Sequence, residues 1–321
     1  MTQPHTSKLT VVGAGAVGSS TAYAALIRGS AQEVVLYDID EPRVRAEVLD
    51  LQQGTQFTRG SRMSDRYDLD GTVDSDVVVV TAGAKQKPGQ TRLDLVQRNV
   101  RMIESLMPQL VERSPYASYV IVSNPCDVLA SVAQQVSGLP VNRVFASGTV
   151  LDTSRLRVLL GQKAQVAPSS VHAYIVGEHG DTEFPLWSVA SIGTVPILDW
   201  DHQGHRFSLE ELQEVAVSVR DAAYEIIRGK GATNYAIGLS AARIVEALLG
   251  DEHAVLPVST VLSEYHGVDG VALSVPHIVN GDGAFPIREI PFSQREGELF
   301  LASAATLAET LISAGYQPIA S

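Results

Sequence analysis

Five short runs rich in Val and Ile recur through the first half of the chain: Leu9–Val12, Glu33–Asp38, Val77–Thr81, Ser118–Val122 and Val144–Ser147. Stretches with helical character separate them, at Ala16–Arg28, Pro42–Gln53, Leu93–Arg113 and Asp127–Ser137. This alternation restricts the fold more than any other feature. Strands joined through a helix run parallel, and a parallel sheet is covered on both faces, so its strands read as continuous apolar runs. The expected class is α/β, a doubly wound parallel sheet with helices on both sides. After about residue 148 the pattern changes. Ser169–Gly177 and Phe184–Ile197 look like antiparallel strands, and Val255–Ser274 like a hairpin. Ser208 with Glu211 and Ser293 with Glu296 have the spacing of capping boxes before two long helices, and Asn234–Leu249 is a further helix. The expectation is two closely packed units, residues 1–147 and a mixed α+β unit over residues 148–321.

Composition narrows the function. The 321 residues carry 24 Lys+Arg against 36 Asp+Glu, a formal net charge of −12. That balance argues against nonspecific nucleic-acid binding and against attachment to anionic membranes. A lone cysteine, Cys126, excludes an intrachain disulfide framework and any multi-cysteine zinc site. No apolar run approaches the roughly 18–20 residues that span a bilayer. The stretch Met1–Lys8 lacks the basic-then-apolar order of a signal peptide. A reduced, cytoplasmic protein is expected.

Gly13-Ala14-Gly15-Ala16-Val17-Gly18 follows the first strand and opens the first helix. In that position Gly13 permits a tight turn and Gly15 lets the backbone approach a pyrophosphate. Gly18 allows close helix–strand packing, and the helix N-terminus offers N–H donors with partial positive charge. Taken alone the motif is also what a glycine-rich turn between packed elements looks like. Its flanks are right, however, and Asp38 ends the second strand about 20 residues on, where a ribose sits in Rossmann-type dinucleotide sites. A carboxylate there bonds ribose hydroxyls and repels a 2′-phosphate, which favours NAD over NADP.

Three further segments carry candidate chemistry. Val176-Gly177-Glu178-His179-Gly180-Asp181 places a histidine between glycines after a strand, open to a substrate and suited to proton exchange near neutral pH. Asp152 and Arg155 are three apart on one helical stretch. Either they form a surface ion pair, or Asp152 orients an imidazole while Arg155 clamps a carboxylate; spacing does not choose between these. Thr81-Ala82-Gly83 leads through Lys85, Gln86 and Lys87 to Arg92, beyond the carboxyl end of a strand. That stretch reads equally as a solvated connection or as a lid that closes with an arginine over the ligands.

Taken in order with Val122-Ser123-Asn124-Pro125, Gly148-Thr149-Val150-Leu151-Asp152-Thr153-Ser154-Arg155 and Lys230-Gly231-Ala232-Thr233, these segments resemble the lactate/malate dehydrogenase family over essentially the whole chain. The resemblance implies a Rossmann-type NAD unit over residues 1–147 and a substrate unit over 148–321. It implies that His179 exchanges the proton, Asp152 fixes its tautomer, Arg155 binds the substrate carboxylate and Arg92 polarises the carbonyl. Gln86, Asn124 and Thr233 are then expected to line the substrate. Gly13, Gly15, Ala16, Val17, Gly18, Asp38, Thr81, Ala82, Gly83, Ser123, Asn124 and Ile237 are expected to border NAD.

Malate-type members typically hold arginine where this chain has Gln86. A neutral side chain leaves the second carboxylate of oxaloacetate unpaired on lid closure and so points to pyruvate/L-lactate. A shift in register that brought Lys85 or Lys87 to that carboxylate is the alternative. A malate or broader 2-hydroxyacid dehydrogenase is the runner-up activity. A metal-dependent NAD glycosidase and a silent nucleotide-binding protein are readings from other classes. No metal site is expected, His202 and His205 lacking further ligands and Cys126 reading as a small buried residue. Arg157 and His172 stand where allosteric bacterial members contact fructose 1,6-bisphosphate across a subunit interface. Only about a dozen residues precede Gly13, too few for the N-terminal arm of vertebrate members, and a homotetramer of bacterial type is expected.

Overall fold

The computed structural model describes residues 6–83 and 92–319; Gln86 and the side chain of Arg92 lie outside the described part. Six strands form the parallel part of the main sheet: β1 (Lys8–Val12), β2 (Glu33–Tyr37), β3 (Arg62–Met63), β4 (Val77–Val80), β5 (Ser118–Ile121) and β6 (Val144–Ala146). Their order, β3-β2-β1-β4-β5-β6, reverses direction between β1 and β4. The crevice where such an order reverses, at the carboxyl ends of the strands, is where open α/β sheets bind ligands.

Each strand feeds two cores. Along β4, Val78 and Val80 belong to one apolar cluster and Val77 and Val79 to the other; in β5, Tyr119 and Ile121 part from Val120 in the same way. This is the alternation of side chains across a strand, with both faces buried. Helices α1 (Ala16–Arg28), α2 (Glu41–Gly54), α3 (Arg92–Arg113), α4 (Cys126–Ser137) and α5 (Val150–Ala164) link these strands or follow them. Pro42 sits in the first turn of α2, where its missing N–H costs no hydrogen bond, and Asp40 caps that helix through the Arg43 N–H at 3.3 Å.

The second half departs from the sequence expectation in its strands. Ser169–Gly177 is broken into β7 (Val171–His172) and β8 (Ile175–Val176), and Phe184–Ile197 into β9 (Phe184–Pro185), β10 (Ser191–Ile192) and β11 (Val195–Pro196). β8 pairs with β9, whereas β7 pairs with β10 and β10 with β11, in separate sheets. Pro185 has no N–H to extend its ladder, and Gly193, at φ +57°, turns β10 into β11. The expected hairpin over Val255–Ser274 also divides, at Pro257. β12 (Ala254–Leu256) enters a small sheet, while β13 (Ser259–Val261) and β14 (Ala272–Ser274) extend the main sheet beyond β6 as antiparallel strands. The small sheet is completed by β15 (His277–Asn280) and β16 (Gly283–Pro286).

Helices α6 (Leu209–Lys230), α7 (Tyr235–Leu249) and α8 (Gln294–Ser313) follow the sequence signals closely. At α8 Ser293 and Glu296 form the full capping box. At α6 Ser208 caps the Glu211 N–H, but the Glu211 carboxylate turns to Lys163 at 2.9 Å instead. α7 crosses α1, where Asn234 donates to Ser20 Oγ (2.8 Å) and Arg28 forms a two-pronged pair with Glu246 (2.6 Å for each bond). Among the described residues no helix is long and apolar enough to cross a membrane.

One buried histidine ties the two sheets together. His277 on β15 is fully buried, with Nδ1 2.6 Å from the Val275 carbonyl and Nε2 2.8 Å from Thr260 Oγ1 on β13. Burial pushes its pKa down to about 4, so the ring is neutral in the folded protein. In the unfolded chain it titrates near about 6.5. The unfolded state therefore binds the extra proton between these values, and the stability contributed by the neutral ring is complete above about pH 6.5 and lost as pH falls toward 4. Thermal unfolding followed across that range is expected to show His277→Gln with a shallower acid loss than wild type; equal slopes would contradict the assignment.

Candidate active site

The cofactor edge is built by the turns that leave β1, β2, β4 and β5. Gly13, at φ +105°, donates its N–H to the Tyr37 carbonyl at 2.7 Å, which joins the ends of β1 and β2. A Cβ on Gly18 would stand 1.7 Å from the Gly13 carbonyl oxygen, so only glycine permits α1 to start this close to the strand. Thr81 Oγ1 donates to the carbonyls of Val12 and Gly13 at 2.9 and 3.1 Å and locks the turn from the β4 side. Gly15 caps α1 with no side-chain hydrogen bond, and its first turn holds no acidic residue. Among the described residues no side chain caps this N-terminus, and Ala16 is exposed and Val17 half-buried there.

Asp38 holds the loop in shape. Its Oδ2 accepts from the Ala14 N–H at 2.6 Å and its Oδ1 from the Asp40 N–H at 3.0 Å. Across the crevice, Ser123 Oγ donates to the Ala82 carbonyl, and the Gly83 backbone passes beside Ser123 and Asn99. The Asn124 carbonyl accepts from Asn99 Nδ2 at 2.8 Å, and the Asn124–Pro125 peptide is cis. Ile237 on α7 and Val17 on α1 pack against one apolar cluster. An uncapped helix N-terminus, a carboxylate at the end of β2 and a backbone cradle along the strand ends suit a dinucleotide. The expected NAD-bordering residues are thus gathered at one edge of the sheet.

A cluster of charged side chains is assembled around Asp152, in the first turn of α5 and 1% exposed. Its Oδ2 lies 2.6 Å from His179 Nδ1, and its Oδ1 accepts from Arg155 Nη1 at 2.6 Å. The Asp152–Arg155 pair exists, but it is not a surface pair: its carboxylate is buried and shared with the histidine. The start of α5 is stapled to β8, with Thr149 Oγ1 donating to the Ile175 carbonyl (2.6 Å) and the Ile175 N–H donating to Thr153 Oγ1 (2.9 Å). The loop after β8 is then fixed from three sides. Gly177 exchanges backbone bonds with Ser274 of β14, the Glu178 N–H reaches Ser303 of α8, and the His179 N–H reaches Asp127 of α4 at 2.7 Å.

Charge follows from this packing. Burial alone would lower the pKa of His179, but the Asp152 carboxylate outweighs it, with Glu183 and Asp127 adding to the effect, and raises it to about 9. Burial would raise Asp152, yet the His179 and Arg155 cations hold it below the usual carboxylate range. The imidazole is therefore cationic at neutral pH, with a proton on the nitrogen that does not face Asp152. Arg155, its side chain 15% exposed, lines a cavity of about 460 Å³ together with Leu151, Thr233 and Ala236. Thr233 Oγ1 is buried there and has no hydrogen-bond partner among the described residues. A hydroxyl without a partner among the described residues and a guanidinium lining the same cavity are groups chemically suited to a small anion with an acceptor oxygen.

Two residues of the centre had no place in the sequence reading. Asp127 opens α4 directly after Asn124-Pro125-Cys126 and is 1% exposed; burial pushes its carboxyl up to about 6. Glu183 lies one helical turn's spacing beyond His179, with Oε2 3.9 Å from His179 Nδ1. The only available signals were a carboxylate after the Asn-Pro turn and another four residues after the histidine. Asp152, His179 and Glu183 also have ligand-type atoms within 4.8 Å of one another, but Asp152 already accepts from both His179 and Arg155. Cys126 is buried, as expected of a small core residue. Away from this centre, Arg157 Nε donates to the Ala173 carbonyl at 3.0 Å and its guanidinium lies over the Tyr174 ring, while His172 is exposed on β7.

Comparison with known proteins agrees in both halves. A family model described as lactate/malate dehydrogenase, NAD binding domain, matches residues 7–146, and one described as lactate/malate dehydrogenase, alpha/beta C-terminal domain, matches residues 149–315. An L-lactate dehydrogenase of Bifidobacterium animalis subsp. lactis is 46% identical over 312 residues, covering 97% of this chain and 98% of the relative. One from Clostridium botulinum (strain Hall) is 43% identical, covering 96% of each. Among solved structures, a lactate dehydrogenase enzyme from a Medee basin deep-sea metagenome library superposes with a TM-score of 0.93 at 38% identity, covering 97% of this chain and 99% of that one. The minor L-lactate dehydrogenase of Enterococcus mundtii gives 0.91 at 38% identity, covering 96% and 98%.

The electrostatic assignment is open to direct measurement. Nuclear magnetic resonance of the imidazole is expected to find His179 titrating near 9. Asp152→Asn removes the charge that holds the proton and is expected to lower that midpoint by more than about one unit. A midpoint that stays in place would show that Asp152 does not set the state of the ring.

Proposed function

The chain belongs to the lactate/malate dehydrogenase family and carries its NAD-binding domain, and from that premise we propose that it is an L-lactate dehydrogenase, interconverting pyruvate and L-lactate. The observation that carries this reading is the buried carboxylate of Asp152, bonded at once to an imidazole and to a guanidinium. Within it, residues 1–147 serve the cofactor and residues 148–321 the substrate. NAD, when bound, supplies or accepts the hydride.

The protein's own part is to hold, orient and exchange a proton. Arg155 takes the substrate carboxylate with the edge of its guanidinium not used by Asp152, and Thr233 gives its unpartnered hydroxyl to the same ligand. His179 Nε2 delivers a proton to the keto oxygen in the reducing direction and takes it back in the other. Asp152 keeps the Nδ1 proton in place and stabilises the cation, so the ring is preorganised before the substrate arrives. Arg92 polarises the carbonyl, Asn124 lines the same site, and Gln86 leaves no partner for a second carboxylate. Asp38, Thr81–Gly83, Ser123 and the N-terminus of α1 hold NAD, and the Asp38 carboxylate disfavours a 2′-phosphate.

The reading extends to a cytoplasmic homotetramer whose pyruvate affinity rises with fructose 1,6-bisphosphate, received by Arg157 and His172. The effector part of it is supported by the proximity of Arg157 to the strand of His172, its Nε bonding the Ala173 carbonyl. An arginine and a protonatable histidine suit phosphate groups.

Steady-state NADH oxidation tests the substrate. Pyruvate is expected to be turned over in clear preference to oxaloacetate, and Gln86→Arg to raise oxaloacetate turnover relative to pyruvate by at least about tenfold, the worth of about 1.4 kcal/mol. Oxaloacetate preferred by wild type, or an unchanged ratio in the variant, would overturn the assignment of substrate or of Gln86. Because the reducing direction needs the imidazolium, pyruvate reduction is expected to fall as pH rises through about 9, with lactate oxidation gaining in the same interval. A pyruvate saturation curve unmoved by millimolar fructose 1,6-bisphosphate at dilute protein would remove the effector site.

A further inference from the structure

Behind the His179–Asp152 pair stands a second carboxyl that the reaction as described does not use. Glu183 follows His179 by four residues, its side chain only 5% exposed and its Oε2 3.9 Å from His179 Nδ1. Its Oε1 is buried and has no hydrogen-bond partner among the described residues. An unpaired carboxylate is costly in such a place, and an ion pair fully satisfying it is absent among those residues. We propose that Glu183 is a positioning residue for the catalytic imidazole, a rear carboxyl that extends the pH range over which His179 remains cationic. The proposal rests on the lactate dehydrogenase reading for its kinetic consequence, though not for the contact itself.

The surroundings explain how it acts. On α5, Asp152 and Arg155 neutralise one another in part, and Asp127 on α4 faces the His179 backbone. Arg220 on α6 lowers the Glu183 pKa from across a cavity, and Glu178 on the same loop is occupied by the Thr182 hydroxyl at 2.7 Å. From α8, Glu296 lines that cavity with its carboxylate held by Ser188 and Ser293. Arg295 and Asp181 lie at the same cavity, Arg295 paired with Glu298 and Asp181 accepting from Tyr224. Burial, with the Asp152 charge, pushes Glu183 up to about 8, and the His179, Arg155 and Arg220 cations oppose that rise. Glu183 is thus neutral while the imidazolium is secure, and ionises just below the pH at which the ring loses its proton. The negative charge appears where it is needed to retain the cation. The two groups titrate as a pair.

Access is separate as well. The cavity in which Glu183 lies, about 670 Å³, shares no lining residue with the cavity of Arg155 and Thr233.

Glu183→Gln tests this, because it keeps the shape and removes the ionisation. The His179 midpoint, followed by nuclear magnetic resonance in the free protein, is expected to fall by about half a unit or more. The alkaline limb of pyruvate reduction and the acid limb of lactate oxidation are expected to move to lower pH with it. Glu183→Asp, which withdraws the carboxyl by one methylene, is expected to give a smaller shift in the same direction and serves if the glutamine variant fails to fold. A lower rate at every pH with the His179 midpoint and both limbs unmoved would reduce Glu183 to packing and overturn the proposal. If the midpoint shifts but wild type does not turn over pyruvate, the rear carboxyl stands and the substrate reading falls.

Discussion

A carboxylate removed from water is tolerated only where its charge is matched and its lone pairs are used. Asp152 meets this condition twice, with His179 on one oxygen and Arg155 on the other. Much of the surrounding structure serves that match. Thr149 and Thr153 hold the start of α5 against β8, so the carboxylate and the histidine loop keep a fixed separation. Ser274, Ser303 and Asp127 then take up the backbone of that loop from three different elements. The imidazole and the guanidinium are consequently placed by the two oxygens of one carboxylate.

The bond from His179 to Asp127 joins the two halves of the chain directly, and the main sheet joins them a second time. Ser274 belongs to β14, which extends the main sheet beyond β6, and it pairs with Gly177 two residues before the histidine. The sheet that positions the glycine loop therefore also positions the loop of His179. Its rigidity comes from strands buried on both faces, in which consecutive valines such as Val77 and Val78 are shared between opposite cores. Hydride transfer demands fixed relative placement of two ligands, and a sheet common to both sites supplies it without relying on a linker.

Legibility in the sequence tracked the range of the interaction. The glycine turn, Asp38 and the first-half strands could be read because each is a local pattern with a local cause. Both capping signals located helix starts, yet only Ser293–Glu296 closed into a reciprocal box, since Glu211 found Lys163 in a distant helix. The broken strands over residues 169–197 escaped notice because apolar runs do not reveal which partner each piece will take. Pro257 was visible, but its role in sending β12 and β13 into different sheets depends on neighbours far along the chain.

The order of residues alone determined the α/β class, the dinucleotide loop, and the presence of a histidine, an aspartate and an arginine in motifs suited to a 2-hydroxyacid. Those conclusions rest on backbone sterics, strand alternation and the chemistry of single side chains, all expressed over a few residues. Only the tertiary structure decided that Asp152 serves His179 and Arg155 together, that Asp127 anchors the histidine's backbone, and that one oxygen of Glu183 faces the ring while the other has no hydrogen-bond partner among the described residues. Burial made that difference: the charge state of a carboxyl depends on how much water it loses and which charges remain within a few ångströms. No spacing along the chain records either quantity.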